Sequence, residues 1–197
     1  MDKKIGKFDQ LYREIPEETQ PSYSAAVSLY PSDELSSAGI EINLPHHEVH
    51  EGNTFQSWVY TGTVANNNTL DLVIVTTGTS KVAHLTWVAN AGGDALTLFY
   101  EGVSGTFNSS APNFNLKRDS IIASPISVFH YPTITWTGIL LNTSLIPGGS
   151  GGATPGGTAR AETEWLIAPN TKYLLRAQNI AGTSQPVNIT IQWYQLE

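Results

Sequence analysis

From about residue 37 onward, apolar residues recur with a period of two, the spacing of a strand with two different faces. In residues 54–60, Phe55, Ser57 and Val59 alternate with Thr54, Gln56, Trp58 and Tyr60. Residues 70–77 (LDLVIVTT) form a β-branched apolar run. In residues 81–90, Val82, His84, Thr86 and Val88 fall on one face, and Ala83, Leu85 and Trp87 on the other. Further strands are expected at 95–101, 121–122, 126–131, 133–145, 164–168, 173–179 and 187–194, which makes about ten of ordinary length. Turn residues separate most of them: Asn66 to Asn68, Gly78, Gly92 and Gly93, Gly102 to Gly105, and the glycine-rich stretch 148–157. The connections are too short for the helical crossovers that parallel strands need, so the sheets are expected to be antiparallel. The pattern predicts an all-β fold, an antiparallel β-sandwich of jelly-roll type, over residues 44–197.

Residues 1–43 read differently. Ile5, Phe8, Leu11 and Tyr12 share one face of a short helix over 2–15. Pro16, Pro21 and Pro31 then interrupt an acidic, serine-rich stretch with little to build a core from. This segment is expected to be an extended N-terminal arm. Phe8, Leu11, Tyr12, Tyr23 and Tyr30 give it side chains to bury if it orders on a partner; otherwise it is a disordered tail.

Charge sharpens the division. Only 14% of the residues are charged, against roughly 25% in an average soluble domain. Residues 1–51 hold 4 Lys/Arg and 10 Asp/Glu, whereas the remaining 146 residues hold only 6 and 7. A domain with so little charge must solvate itself with Thr, Asn, Ser and Gly, or be covered by neighbours, since charge is depleted at interface cores. The net charge of -7 argues against a nucleic-acid-binding surface. The chain has no Cys, which excludes disulfides, thiol nucleophiles and thiolate metal sites. No run is long and apolar enough to span a membrane as a helix, and the opening MDKKIGKFDQ lacks the apolar core of a secretory signal.

Candidate chemistry is sparse. HHEVHE (46–51) is one residue short of the His-Glu-x-x-His of a zinc protease helix. After Pro45 it reads as a strand, with His46, Glu48 and His50 on one side, where a divalent ion would need a third ligand from a neighbouring strand. Histidines held by hydrogen bonds or at an interface are the plainer outcome, and no metal or other cofactor is expected. There is no nucleophile elbow. Asp71, Asp94, Glu101, Glu162 and Glu164 are available, but no spacing pairs two of them across a cleft as glycoside hydrolysis requires. The glycine-rich stretch lacks the Lys-Ser/Thr of a phosphate-binding loop. No enzymatic activity is expected. Lys117, Arg118 and Asp119 make a small charged island, either a solvated loop or an ion pair that fixes docking register. Trp58, Trp87, Trp136 and Trp193 are strand tryptophans that serve as core or interface anchors, or as stacking platforms for sugars.

Several segments, in order and spacing, resemble a family of small virion structural proteins of tailed bacteriophages. They are HEVHEGNTF (47–55), LTLFYEG (96–102), NLKRDS (115–120), VFHYPTITWTGILLNTSLIPGGSGGATPGG (128–157), EWLIAPNTKYLLRAQN (164–179) and ITIQWYQ (189–195). The resemblance covers roughly residues 44–197 and implies a β-sandwich cement or decoration protein on the phage head. It implies the major capsid protein as partner and the virion head surface as location, after synthesis in the host cytoplasm. A closed homo-oligomer matching a local symmetry axis follows, a trimer first and a dimer second. The alternative is a receptor- or glycan-binding module of a head fibre, spike or tail, because jelly rolls host lectins as well as capsid proteins.

Overall fold

The computed structural model describes residues 44–78, 82–148, 158–160 and 164–195 of the chain. The expected helix at 2–15 and most of the glycine-rich stretch lie outside them. The chain divides into two units, Met1–His47 and Glu48–Glu197, and the second holds the strands.

The run HHEVHE is a helix, α1 (Leu44–Glu51), and not the expected strand. The physical reason lies at its ends. Pro45 sits in the first turn, where a missing N–H costs nothing, and Gly52 follows the last turn with φ +82°. Gly52 N donates to Val49 O (3.2 Å) and Asn53 N to Glu48 O (2.9 Å). This is the paired closure of a helix that ends on a left-handed glycine. A Cβ at Gly52 would also come within 2.6 Å of Ser120 Oγ. Alternating His and Glu with a single Val gave a strand no apolar face, so the helix ends decided.

The strands are β1 (Thr54–Val64), β2 (Thr69–Thr76), β3 (Ala83–Ala91), β4 (Ala95–Glu101), β5 (Ser104–Thr106), β6 (Phe114–Asn115) and β7 (Ile126–His130), then β8 (Thr133–Trp136), β9 (Ile139–Ile146), β10 (Thr158–Arg160), β11 (Trp165–Ile167), β12 (Lys172–Asn179) and β13 (Gln185–Gln195). One sheet runs β10-β3-β13-β1-β6, with β11 also on β3; the other runs β7-β2-β12-β4-β9. Every pairing is antiparallel. The first and last long strands lie side by side, and the chain repeatedly crosses from one sheet to the other. The order β1-β13-β3-β10 facing β2-β12-β4-β9 is that of a jelly roll, as the sequence predicts.

Two expectations are corrected. The run 133–145 is two strands, broken at Gly138, whose φ is +93° and whose Cβ would meet Glu101 O. Ile121 and Ile122 form no strand; both are exposed in the loop before β7.

The inward faces follow the predicted alternation. Phe55 and Val59 meet Leu85, Trp87, Ile189, Ile191 and Trp193 from one sheet and Leu72, Ile74, Phe99 and Leu175 from the other in a single buried cluster. Phe55 stacks on Trp193 and Phe99 on Tyr173, at ring distances of 5.9 and 5.6 Å. A second, smaller core lies on the outer face of the β2-β12-β4 sheet. There the β5–β8 ribbon lays Val103, Phe107 and Ile134 against Val73, Leu174 and Tyr100. At the sandwich end, buried Asn179 donates to Val64 O and Thr183 O (both 2.7 Å) and accepts from Ala181 N and Gln185 Nε2. One side chain thereby ties together three segments at this end of the sandwich.

Candidate functional site

The groups that carry chemistry are engaged separately. Arg176 grips Asp71 with two hydrogen bonds (Nε–Oδ1 2.8 Å, Nη2–Oδ2 2.7 Å), the bidentate geometry that a guanidinium favours. That hydrogen bonding raises the Arg176 pKa further. Glu101 accepts from Tyr173 Oη (3.2 Å), and Asp94 accepts from Gly148 N. His84 Nδ1 lies 3.2 Å from Glu164 Oε2, and its ring stacks on Tyr194 at 4.6 Å. Burial raises the Tyr194 pKa, and Glu164 and then Glu48 push it in the same direction. Glu162 lies outside the described residues.

The trio His46, Glu48 and His50 does not share a side. On a helix, two residues advance about 200°, so Glu48 points away from both imidazoles. Glu48 is buried and accepts from Asn53 Nδ2 (3.1 Å). Among the described residues no cluster of three His, Asp or Glu is arranged to hold a metal ion. No described helix is long and apolar enough to cross a membrane.

The surface is the informative part. Lys117, Arg118 and Asp119 are exposed as a loop. Asn115 shapes that loop by accepting from Lys117 N (2.9 Å), and the Arg118 guanidinium sits over the Phe114 ring at 5.6 Å. The arm residues Phe8, Leu11, Tyr12, Tyr23 and Tyr30 lie outside the described residues. The four tryptophans divide. Trp87 and Trp193 are core, which their inward positions on β3 and β13 signal in the sequence, while Trp58 and Trp136 are exposed.

Trp58 belongs to the outer face of the β3-β13-β1 sheet. Cross-strand rows there read Gln56–Gln192–Thr86, Trp58–Thr190–Val88 and Tyr60–Asn188–Asn90. None of β1, β3 and β13 contains Asp, Glu, Lys or Arg. Tyr131, in a left-handed conformation (φ +50°), donates from its hydroxyl to Tyr60 O (3.0 Å) beside this face.

Sequence reasoning missed the sheet edges. The β1–β3 sheet ends in short pieces, two residues in β6 and three each in β10 and β11. The β7 edge is covered by the preceding loop: Ala111 N donates to Val128 O (2.8 Å) and His130 N to Ser109 O (2.9 Å). The remaining edge, β9, is eight residues long and has one strand partner, β4, among the described residues. It exposes Ile139 (64%), Leu140 (48%) and Leu145 (58%), and Trp136 (56%) stands just before it. Residues 120–159, which include β7, β8 and β9, contain no Asp, Glu, Lys or Arg.

No protein-family model matches the chain, and no curated protein matches it.

Proposed function

We propose that this protein is a non-enzymatic structural subunit of a phage virion, a cement or decoration protein that binds the assembled head shell through its major capsid protein. The observation that carries the reading is the charge-free strand β9 at the end of its sheet, which exposes Ile139, Leu140 and Leu145 beside the exposed Trp136. Exposed apolar patches on a polar background mark interaction sites, and depletion of charge is the compositional mark of interface cores. The resemblance of residues 44–197 to virion structural proteins points the same way. On this reading the arm, with Phe8, Leu11, Tyr12, Tyr23 and Tyr30, wraps a neighbour, and Lys117, Arg118 and Asp119 set register at a polar rim. The subunit acts as a closed homo-oligomer on the head surface. Binding the assembled shell and not its parts stabilises the shell by mass action. The test is electron microscopy and heating of heads of the parent phage with and without the protein. Density on the shell and later heat release are expected; heads that never bind it, or that rupture at the same temperature, remove the reading.

A second reading rests on Trp58 and Tyr60, exposed on the neutral ladder of Gln, Asn and Thr side chains. Aromatic rings beside neutral donors and acceptors suit a glycan, which makes the protein a receptor-binding module. Glycan-array binding that Trp58→Ala abolishes, without shell binding, would favour it.

A further inference from the structure

We infer that the outer face of the β3-β13-β1 sheet binds a linear oligosaccharide of three or more uncharged sugars, laid along β1 from Phe114 to Tyr60. The inference rests on the glycan reading of this face and adds its extent, its register and the class of its ligand. Shell contact through β9 belongs to the other sheet, so the two activities do not compete for one surface.

The short strand β6 extends the face. Phe114 pairs with Gln56, and paired residues share a face of the sheet. The exposed Phe114 therefore joins the row Gln56–Gln192–Thr86 on the outer side. Three exposed rings then follow one another along β1: Phe114 at the level of Gln56, then Trp58, then Tyr60. A strand rises about 3.4 Å per residue, so successive levels stand about 7 Å apart and the row spans about 14 Å. That is longer than one sugar, and a ligand that uses all three rings is a chain of sugars. At one end the Arg118 guanidinium lies over the Phe114 ring at 5.6 Å. At the other, Tyr131 holds Tyr60 O through its hydroxyl (3.0 Å).

The side chains beside the rings select the ligand. Gln56, Gln192, Thr190 and Asn188 carry amides and hydroxyls, groups that both donate and accept hydrogen bonds. Sugar hydroxyls do the same, while the C–H face of a sugar ring suits an aromatic face. Thr190 Oγ1 donates to Asn188 Oδ1 (3.1 Å), which fixes both side chains beside Tyr60. A protein surface fits less well, because Val88 is the one aliphatic side chain in these rows. A peptide gains most of its main-chain bonds from a free strand edge, but β13 and β3 each have strand partners on both sides, and Tyr60 O is already engaged. A sugar acid in every repeat would find Arg118 at one end and no Lys or Arg on β1, β13 or β3. The ligand is therefore uncharged in its repeat.

The test is calorimetric titration of the full chain with β-1,4-linked oligomers of glucose and of N-acetylglucosamine, from one sugar to six. Oligogalacturonate, with a carboxylate on every sugar, is the charged counterpart. In one of the neutral series the affinity should rise at least tenfold from one sugar to three, and oligogalacturonate should bind at least tenfold more weakly. Trp58→Ala should weaken the trimer at least tenfold, and Phe114→Ala should weaken the trimer but not the dimer, which still bridges Trp58 and Tyr60. No binding by either neutral series, or binding indifferent to Trp58→Ala, overturns the inference together with the glycan reading. Equal affinity for one sugar and three, oligogalacturonate bound as tightly, or a Phe114→Ala protein that binds dimer and trimer with unchanged ratio overturns the inference and leaves the glycan reading standing. A Trp58→Ala protein that no longer attaches to phage heads gives this face to a protein partner and overturns it as well. Circular dichroism matching the wild type shows that the variants are folded.

Discussion

The two edges of the β7-β2-β12-β4-β9 sheet are built to opposite specifications. At β7 the chain folds its own loop back over the strand, and Asn113 Nδ2 adds a bond to Ile126 O (2.7 Å). The outer face beside it is roofed by the β5–β8 ribbon over Val73 and Leu174. At β9, the same sheet ends in a longer, wholly uncharged strand with three large apolar side chains exposed. The Asp71–Arg176 pair lies on β2 and β12 in the same ladder as the roofed Val73 and Leu174, two residues further along the strands. The chain closes one edge with backbone hydrogen bonds, while β9 has β4 as its one strand partner among the described residues.

The largest effect should come from what the two edges share. Phe99 on β4 is fully buried against Tyr173 and Trp165, one strand in from β9. Phe99→Ala should lower unfolding stability by about 3–5 kcal/mol, the usual loss for a buried phenylalanine with the cavity it leaves. Denaturant melts check this. A loss under about 1 kcal/mol would mean that β4 and β9 do not belong to the common core.

The ion pair on the outer face gives the next effect. Arg176→Met leaves the Asp71 carboxylate, nearly buried, without its two charged donors. Hydrogen bonds to charged groups are worth about 1.5–3 kcal/mol, and residual solvent contact at Arg176 sets the expected loss near 2 kcal/mol. Amide exchange should accelerate in β2 and β12 and leave the 109–111 cover unchanged. Uniform acceleration everywhere would show that the pair stabilises the whole sandwich and not these two strands.

Much of this architecture is legible in the sequence, and the reason is the period of two. Phe55, Val59, Leu85 and Trp87 turn inward as their alternation requires. The edges were not legible, because periodicity tells which face a residue takes but not what lies beside its strand. The hydrogen bond from Ala111 to Val128 joins residues with no shared pattern. The bulge at Leu141 is equally silent, since ILLNTSLI reads as an ordinary apolar run. The helix at HHEVHE was legible only at its ends, in Pro45 and Gly52, and not in its middle. For the candidate site, the sequence reading left the four tryptophans undivided, and the structure places Trp87 and Trp193 in the core and Trp58 and Trp136 on the surface. The location of the exposed apolar edge required knowing which strand ends the sheet.

The rim of the other sheet supplies a pH-dependent contrast to the bare edge. Tyr194 is buried beside Glu164, Glu48 and the His84 ring. Its raised pKa, due first to burial and then to Glu164, means that the folded state holds the phenol proton after the unfolded chain has begun to lose it near pH 10. The folded state then binds more protons than the unfolded one, so stability falls as pH rises above about 10 and is constant with respect to this group below it. Tyr173 is raised in the same direction by burial. Each such phenol contributes a slope of up to about 1.4 kcal/mol per pH unit. Denaturation midpoints between pH 9 and 11 should therefore drop, and Tyr194→Phe should remove part of the drop. An unchanged slope in Tyr194→Phe would mean that Tyr194 ionises as freely in the folded rim as in the unfolded chain.

The smallest effect on the fold should fall on β9 itself. Leu145 is more than half exposed and contributes little burial within one chain. An exposed substitution away from caps, cores and strained turns usually stays within about 0.5 kcal/mol, so Leu145→Lys in dilute solution should melt within that margin of the wild type. The difference should appear in attachment. If β9 is the edge that meets the shell, Leu145→Lys should weaken binding to phage heads at least tenfold, measured by co-sedimentation. If head binding is unchanged, β9 is an edge without that partner. If Leu145→Lys instead destabilises the protein by about 2 kcal/mol or more, well beyond the usual exposed substitution, Leu145 belongs to the fold, and the contrast between the two edges is one of packing and not of partners.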